Sequence, residues 1–154
     1  MTLDPILSEL KDTAAGIDVS IDPTRQGFDH EKVLAEFTTQ REVGEADGHL
    51  LPPKRLVLAW TNEYVDLKSH ARIAARVEGK SSLARLGLAV HVTAPTIHAG
   101  FNGRIRLEIV NHGPVPIRLR QGMRLCQLIF EQTLGTPERG YQGRFAGQDI
   151  ARKG

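Results

Sequence analysis

The sequence predicts an all-β fold, and two observations carry that expectation. From Leu50 onward apolar residues recur at every second position, which is the period of a strand rather than of a helix. These runs are short and end in turn residues: Pro52-Pro53, Gly100, Gly103, Asn111-His112-Gly113-Pro114 and Gln121-Gly122. Short strands at regular spacing between such signals are the pattern of a sandwich or barrel.

Taken in order, Pro5 to Ala15 predicts a short helix. Pro5 suits a first helical position, and Ile6, Leu7 and Leu10 share one stripe. Gly16 to Pro23 alternates apolar with polar residues and ends in a turn signal, so it predicts a strand. Thr24 to His49 is polar and weakly patterned, and its Lys32–Phe37 piece fits helix or strand. Leu56–Ala59 is apolar on both faces and predicts a buried strand. In Ala71–Gly79, Ile73, Ala75 and Val77 oppose Arg72, Arg76 and Glu78. Leu86–Thr93 alternates in the same way. In Arg104–Asn111, Ile105, Leu107 and Ile109 face in, and Arg104, Arg106 and Glu108 face out. Val115–Arg120 alternates too, and Met123–Phe130 is apolar on both faces except at Gln127. Residues 131–154 are rich in Gly and polar residues and predict a flexible arm.

The 154 residues suit a single domain spanning 1–154. The net charge of +2 gives no argument for a nucleic-acid or membrane partner. No apolar run approaches the roughly 18–20 residues of a membrane span, and the start MTLDPILSEL lacks the layout of a signal peptide. One cysteine, Cys126, makes no internal disulfide and cannot build a zinc ribbon or the H-x-E plus P-C-x-x-C zinc-deaminase signature. A reduced, cytoplasmic protein without zinc is expected.

Four segments could carry chemistry. Glu78–Leu88 places Lys80, Ser81, Ser82 and Arg85 in one connection. Such donors and cations suit a triphosphate, though a charged connection is also an ordinary surface loop. Thr96–Arg104 brackets Phe101 with two glycines; the ring is either a stacking platform for a base or sugar, or a core residue beside a turn. Glu108 lies between apolar strand neighbours and reads most simply as part of a solvated face. Tyr141–Gln148 is either an arm that closes on an anion or a free tail.

Together these segments resemble the deoxyuridine triphosphatase (dUTPase) superfamily, and within it the dCTP deaminase branch. KSSLARLGL at 80–88 looks like the branch's phosphate loop, and HVTAPTIHAGFNG at 91–103 like its base-and-sugar segment. RLEIVN at 106–111 resembles its catalytic strand, followed by GMRLCQLIF at 122–130 and the YQGRFAGQ tail. GIDVSID at 16–22 and Leu51–Gly79 extend the likeness, while residues 24–48 match poorly.

The resemblance implies a distorted jelly roll, a homotrimer with active sites between subunits, and hydrolysis of dCTP to dUTP and ammonia without zinc. It implies Glu108 as general base and proton shuttle, with Arg85 positioning water and carboxylate and Ser81 close by. Lys80, Ser81 and Ser82 would hold phosphates, and Mg²⁺ would ride on the triphosphate. Val92, Thr93 and Ala94 would contact the base, Phe101 the deoxyribose, and Arg106 and Leu107 the nucleotide beside Glu108. Gln127, Tyr141, Arg144 and Gln148 would contact the nucleotide as the tail closes. dCTP and dUTP are the implied ligands, with dTTP a candidate inhibitor. Three departures stand out: His98 where the family usually has Asp, Arg144 where Lys is common, and a shorter N-terminus. The loss of the Asp weighs against dUTPase or bifunctional chemistry. It also keeps open a catalytically weak nucleotide-binding relative with a regulatory role.

Overall fold

A computed structural model describes residues 1–12, 20–136 and 138–150. The described residues form strands β1 (Leu3–Leu10), β2 (Thr38–Glu42), β3 (His49–Leu51), β4 (Leu56–Asp66), β5 (Ile73–Gly79), β6 (Leu88–Ala89), β7 (Thr96–Ile97), β8 (Asn102–Asn111), β9 (Ile117–Leu119) and β10 (Cys126–Gln132). Two short helices, α1 (His30–Phe37) and α2 (Ser81–Ala84), and a 3-10 turn at Ser69–Ala71 complete them. One sheet runs β2-β1-β4-β8-β6, a second β10-β5-β7, and a third pairs β3 with β9. Every pairing is antiparallel, as the all-β expectation requires.

The long strands follow the alternation read from the sequence. In β8, Ile105, Leu107 and Ile109 are buried while the residues between them are half-buried. In β4, Val57 to Thr61 are buried on both faces. The core gathers Leu3, Leu7, Val57, Leu107, Ile109 and Leu125, each at most 1% exposed.

The N-terminal helix is a correction. Residues 3–10 form β1, held between β2 and β4; residues 13–15 lie outside the described residues. A spacing of four suits one helix face and one strand face equally, so buried Leu3 and Leu7 do not discriminate. Partners on both strand edges decide the matter. Pro5 sits where the β1–β4 register shifts, between Leu3 and Leu7, a position that tolerates its missing N–H.

Of the strand expected at 16–23, residues 16–19 lie outside the described residues. Asp22 instead organises a turn, its carboxylate accepting from the Thr24 amide at 2.9 Å. Lys32–Phe37 falls in α1. Asp29 caps that helix by accepting from the Glu31 and Lys32 amides at 3.1 and 3.2 Å.

The strand expected over Leu86–Thr93 shrinks to Leu88–Ala89. Helical backbone from α2 continues as a turn, with the Leu86 amide donating to Leu83 O at 3.0 Å, and leaves Leu86 61% exposed. The Val115–Arg120 run is a strand only at Ile117–Leu119. The Met123–Phe130 run pairs from Cys126 onward, and it is not buried on both faces: Ile129 and Phe130 are exposed.

The C-terminal segment lies along the β7–β8 connection. The Tyr141 amide donates to Ala99 O at 3.1 Å, the Gly147 amide to Asn102 O at 2.8 Å, and the Arg104 amide to Gln148 O at 3.0 Å. Gln148 Nε2 returns a bond to Arg104 O at 2.7 Å, and Arg104 Nε meets Asp149 Oδ1 at 3.0 Å. The two glycines bracketing Phe101 make the room. A Cβ on Gly100 would stand 2.6 Å from Gly140 Cα, and one on Gly103 2.7 Å from Gln148 O.

Two expected outcomes follow from this packing. Asn111 is fully buried, donates to Leu51 O at 3.0 Å and Val115 O at 2.9 Å, and accepts from the Gly113 amide at 2.9 Å. Asn111→Ala strands these groups and is expected to cost about 3 kcal/mol in urea unfolding. Arg104→Ala is expected to speed amide hydrogen exchange at Gly147 and at Arg104's own position in the variant, while leaving the β1–β4 ladder protected. Unchanged exchange there would show that the tail is held by something else.

Candidate active site

The register of the main sheet places four side chains in one row. Gln40 of β2 faces Ser8 of β1, Ser8 faces Leu58 of β4, and Leu58 faces Glu108 of β8. One step along, Trp60 of β4 faces Arg106 of β8. Side chains of period two share a face, so Arg106 and Glu108 rise from the same side of the sheet.

That side is partly covered, so the half-buried Glu108 does not stand on a fully open face. α1 contributes His30, Glu31 and Leu34 above it, and the tail contributes Tyr141, Arg144, Phe145, Gln148 and Asp149. Phe145 meets His30 edge-on with ring centres 6.0 Å apart, so the tail and α1 touch across the top. Tyr141 stacks on His98 at 5.5 Å and lies 6.3 Å from Phe101. The half-open cavity measures about 650 Å³, within the range of small-molecule sites.

The electrostatics concentrate on Arg106. Its guanidinium lies 5.2 Å from the centre of the Trp60 ring, within cation–π range. Burial lowers its pKa, and the carboxylates of Glu31 and Glu108 oppose that shift. Its Nε is buried without a hydrogen-bond partner, and so is Nδ1 of His91, which lines the same cavity. A buried donor left unpaired costs about 1–3 kcal/mol, which makes the cavity a place for a polar ligand.

Of the residues singled out in the sequence, Ala94, His98, Phe101, Arg106, Leu107, Glu108, Tyr141, Arg144 and Gln148 line this one cavity. Phe101 is both things considered for it: a core residue, 5% exposed, and part of the cavity wall. Lys80, Ser81, Ser82 and Arg85 lie elsewhere, around the exposed α2 turn that follows β5. Gln127 is exposed on β10 opposite Glu78, and Val92 and Thr93 are exposed in the loop after β6. Within one chain, then, Arg85 does not line the cavity that holds Glu108.

Sequence reasoning missed Trp60, His91, His30, Glu31 and Asp149 as cavity residues. Trp60 was within reach, because it extends the apolar run of Leu56–Ala59 and pairs with the strand of Glu108. His30 and Glu31 carried no signal, since residues 24–48 lack a clear period. Cys126 is buried, which pushes its thiol pKa up and makes it a packing residue. Among the described residues, no group of three or more His, Cys, Asp or Glu is placed to hold a metal ion, and no helix is long and apolar enough to cross a membrane.

Comparison with known proteins agrees with this fold. The chain is similar to solved structures of 2′-deoxycytidine 5′-triphosphate deaminase from Agrobacterium tumefaciens (TM-score 0.62, 24% identity, covering 84% of this chain and 37% of that one) and of the EIAV dUTPase (TM-score 0.51, 22% identity, 68% and 83%). These likenesses support the dUTPase-like jelly roll. In sequence, it is 45% identical over 107 residues to a Methanobrevibacter smithii protein named dCTP deaminase, dUMP-forming, covering 70% of this chain and 54% of that protein. It is 37% identical over 131 residues to the protein of the same name from Sulfurihydrogenibium sp. (85% and 68%). It is 46% identical over 100 residues to a Rhodospirillum rubrum dCTP deaminase (65% and 50%). The chain thus spans about half the length of several curated relatives that it matches. The family model described as dCTP deaminase-like matches residues 9–133, and the chain belongs to the dCTP deaminase-like family.

Proposed function

We propose that the chain hydrolyses dCTP at C4 of the base, giving dUTP and ammonia. The observation that carries this reading is the half-buried Glu108 carboxylate, set in a covered cavity beside the Arg106–Trp60 pair. Glu108 takes a proton from water as the oxygen bonds to C4. It delivers that proton to N3, then moves the second water proton to the amine as the C4–N4 bond breaks. Exclusion of bulk water by α1 and the tail strengthens each of these contacts.

The remaining residues take the roles that the family resemblance suggests. Ala94 with Val92 and Thr93 contacts the base, Phe101 packs on the deoxyribose, and Arg106 and Leu107 approach the nucleotide from the strand of Glu108. Tyr141, Arg144 and Gln148 close from the tail. Lys80, Ser81 and Ser82 hold phosphates, and Arg85 positions water and carboxylate. Because Arg85 lies outside the Glu108 cavity of its own chain, this arrangement needs the α2 turn and Gln127 of a neighbouring copy, as in a homotrimer. Lys80, Ser81 and Ser82 offer no carboxylate oxygen, so they suit the phosphates, and Mg²⁺ would enter on the triphosphate. A cytoplasmic setting, independence of zinc and inhibition by dTTP belong to the same proposal.

A second reading carries the reaction on to dUMP. The names of the M. smithii and Sulfurihydrogenibium relatives favour it. His98 argues against it, since a ring stacked on Tyr141 supplies no negative charge to orient an attacking water. Incubation with dCTP and Mg²⁺ separates the readings: ammonia with dUTP supports the first, and dUMP with pyrophosphate the second. Binding without turnover leaves a regulatory relative. Glu108→Gln is expected to lower ammonia release by about 10²–10⁴-fold while nucleotide binding stays within a few-fold. Near-normal turnover in that variant refutes the base assignment.

A further inference from the structure

We propose that the cavity admits deoxycytidine triphosphates alkylated on the 4-amino nitrogen, and that the chain hydrolyses them to dUTP and the alkylamine. The inference rests on the dCTP reading above and names a wider substrate class for the same site. Its starting point is the part of the cavity that the dCTP reading leaves unused. Beyond Glu108 the cavity runs on without any residue given a nucleotide contact. From β8 its lining stops at Glu108. It continues across the sheet to Leu58 of β4, Ser8 of β1 and Gln40 of β2, with Leu34 of α1 above. Adjacent strands stand about 4.8 Å apart, so the backbone of Ser8 lies about 10 Å from that of Glu108, and Gln40 about 14 Å.

The chemistry at Glu108 says which part of a substrate faces this extension. Glu108 delivers a proton to the departing amine, so N4 lies at its carboxylate. In cytosine the amine is on C4, across the ring from the N1 that carries the sugar. A group attached to N4 therefore leads away from sugar and phosphates, and the path open to it from Glu108 is the one across the sheet. Leu58 and Leu34 flank that path and suit alkyl carbon. Ser8 and Gln40 close its far end with polar groups, so the fitting substituent is a short chain. The reaction balances as it does for dCTP. The water oxygen bonds to C4, and one water proton passes through Glu108 to N3. The C4–N4 bond then breaks, its electron pair leaves on nitrogen, and the second water proton completes a neutral primary amine. No oxidant or further reactant is needed.

The test gives the full chain dCTP and N4-propyl-dCTP, each with Mg²⁺, and resolves the nucleotide and amine products. Propylamine is expected together with dUTP, at a kcat/KM within about 10-fold of that for dCTP. In the Glu108→Gln protein, where nothing turns over, calorimetry is expected to show N4-propyl-dCTP binding at least as tightly as dCTP. Adding Ser8→Leu fills the extension and is expected to weaken N4-propyl-dCTP by roughly 10- to 100-fold, with dCTP unchanged. Ser8→Val, smaller and suited to a strand, is expected to give the same selective loss in lesser degree, and it stands in if the leucine variant does not fold. Turnover of dCTP without binding or turnover of N4-propyl-dCTP overturns the inference, whether a wall or a neighbouring copy fills the space. Equal losses for both ligands in the Ser8 variants, or none for either, overturn it as well. If the unaltered chain neither binds nor deaminates dCTP, the dCTP reading itself fails, and this inference with it.

Discussion

Strands Leu56–Asp66 and Asn102–Asn111 pair antiparallel along almost their whole length, and the remainder of the molecule is arranged around that pairing. The register is interrupted once, between Trp60 and Tyr64. The buried Thr61 stitches the interruption by accepting from the Ile105 amide at 3.1 Å and donating to Glu63 O at 3.0 Å. Arg104 donates to Thr61 O at 3.1 Å from the facing strand. The first residues of the chain are fastened to the same bulge, with the Thr2 amide donating to Glu63 and Asn62 Nδ2 donating to Leu3 O at 3.0 Å. Bulges re-aim side chains beside functional sites. Here the bulge divides β8 into an end that receives the tail and an end that presents Arg106 and Glu108.

The cover over that second end gives the charges their meaning. A carboxylate and a guanidinium on an open sheet face would be ordinary solvated groups. α1 and the tail partly cover both, and α1 brings a further carboxylate, Glu31, to the guanidinium. Charges held in a partly dry cavity interact more strongly with one another and with a ligand than charges in bulk solvent. The arrangement stays affordable because Arg106 rests on Trp60 and keeps two carboxylates in view.

Much of this was legible in the sequence, and the misses have physical causes. β5 and β8 alternate because each buries one face, and β4 is continuously apolar at its start because both of its faces are buried. β1 was misread because Pro5 and the stripe of Ile6, Leu7 and Leu10 suit a helix, and only pairing on both edges shows the strand. Leu86–Thr93 alternates, yet the helical turn of α2 runs on into Leu86 and leaves too little chain for a long strand. Glu108 stood out through family resemblance, while its periodicity suggested open solvent. The cover that changes its setting comes from His30–Phe37, whose polar sequence has no period to read. The glycines around Phe101 were visible as turn signals, but their closeness to Gly140 and Gln148 becomes apparent only once the tail is in place.

The central claim is that the cavity over Glu108 receives the base of a deoxycytidine nucleotide. The most direct measurement is a crystal structure of the Glu108→Gln protein with dCTP. The account predicts the cytosine ring on the sheet face beside Arg106 and Trp60, its amine directed to residue 108. A ring bound away from this cavity, on the Lys80–Arg85 surface alone, would contradict it.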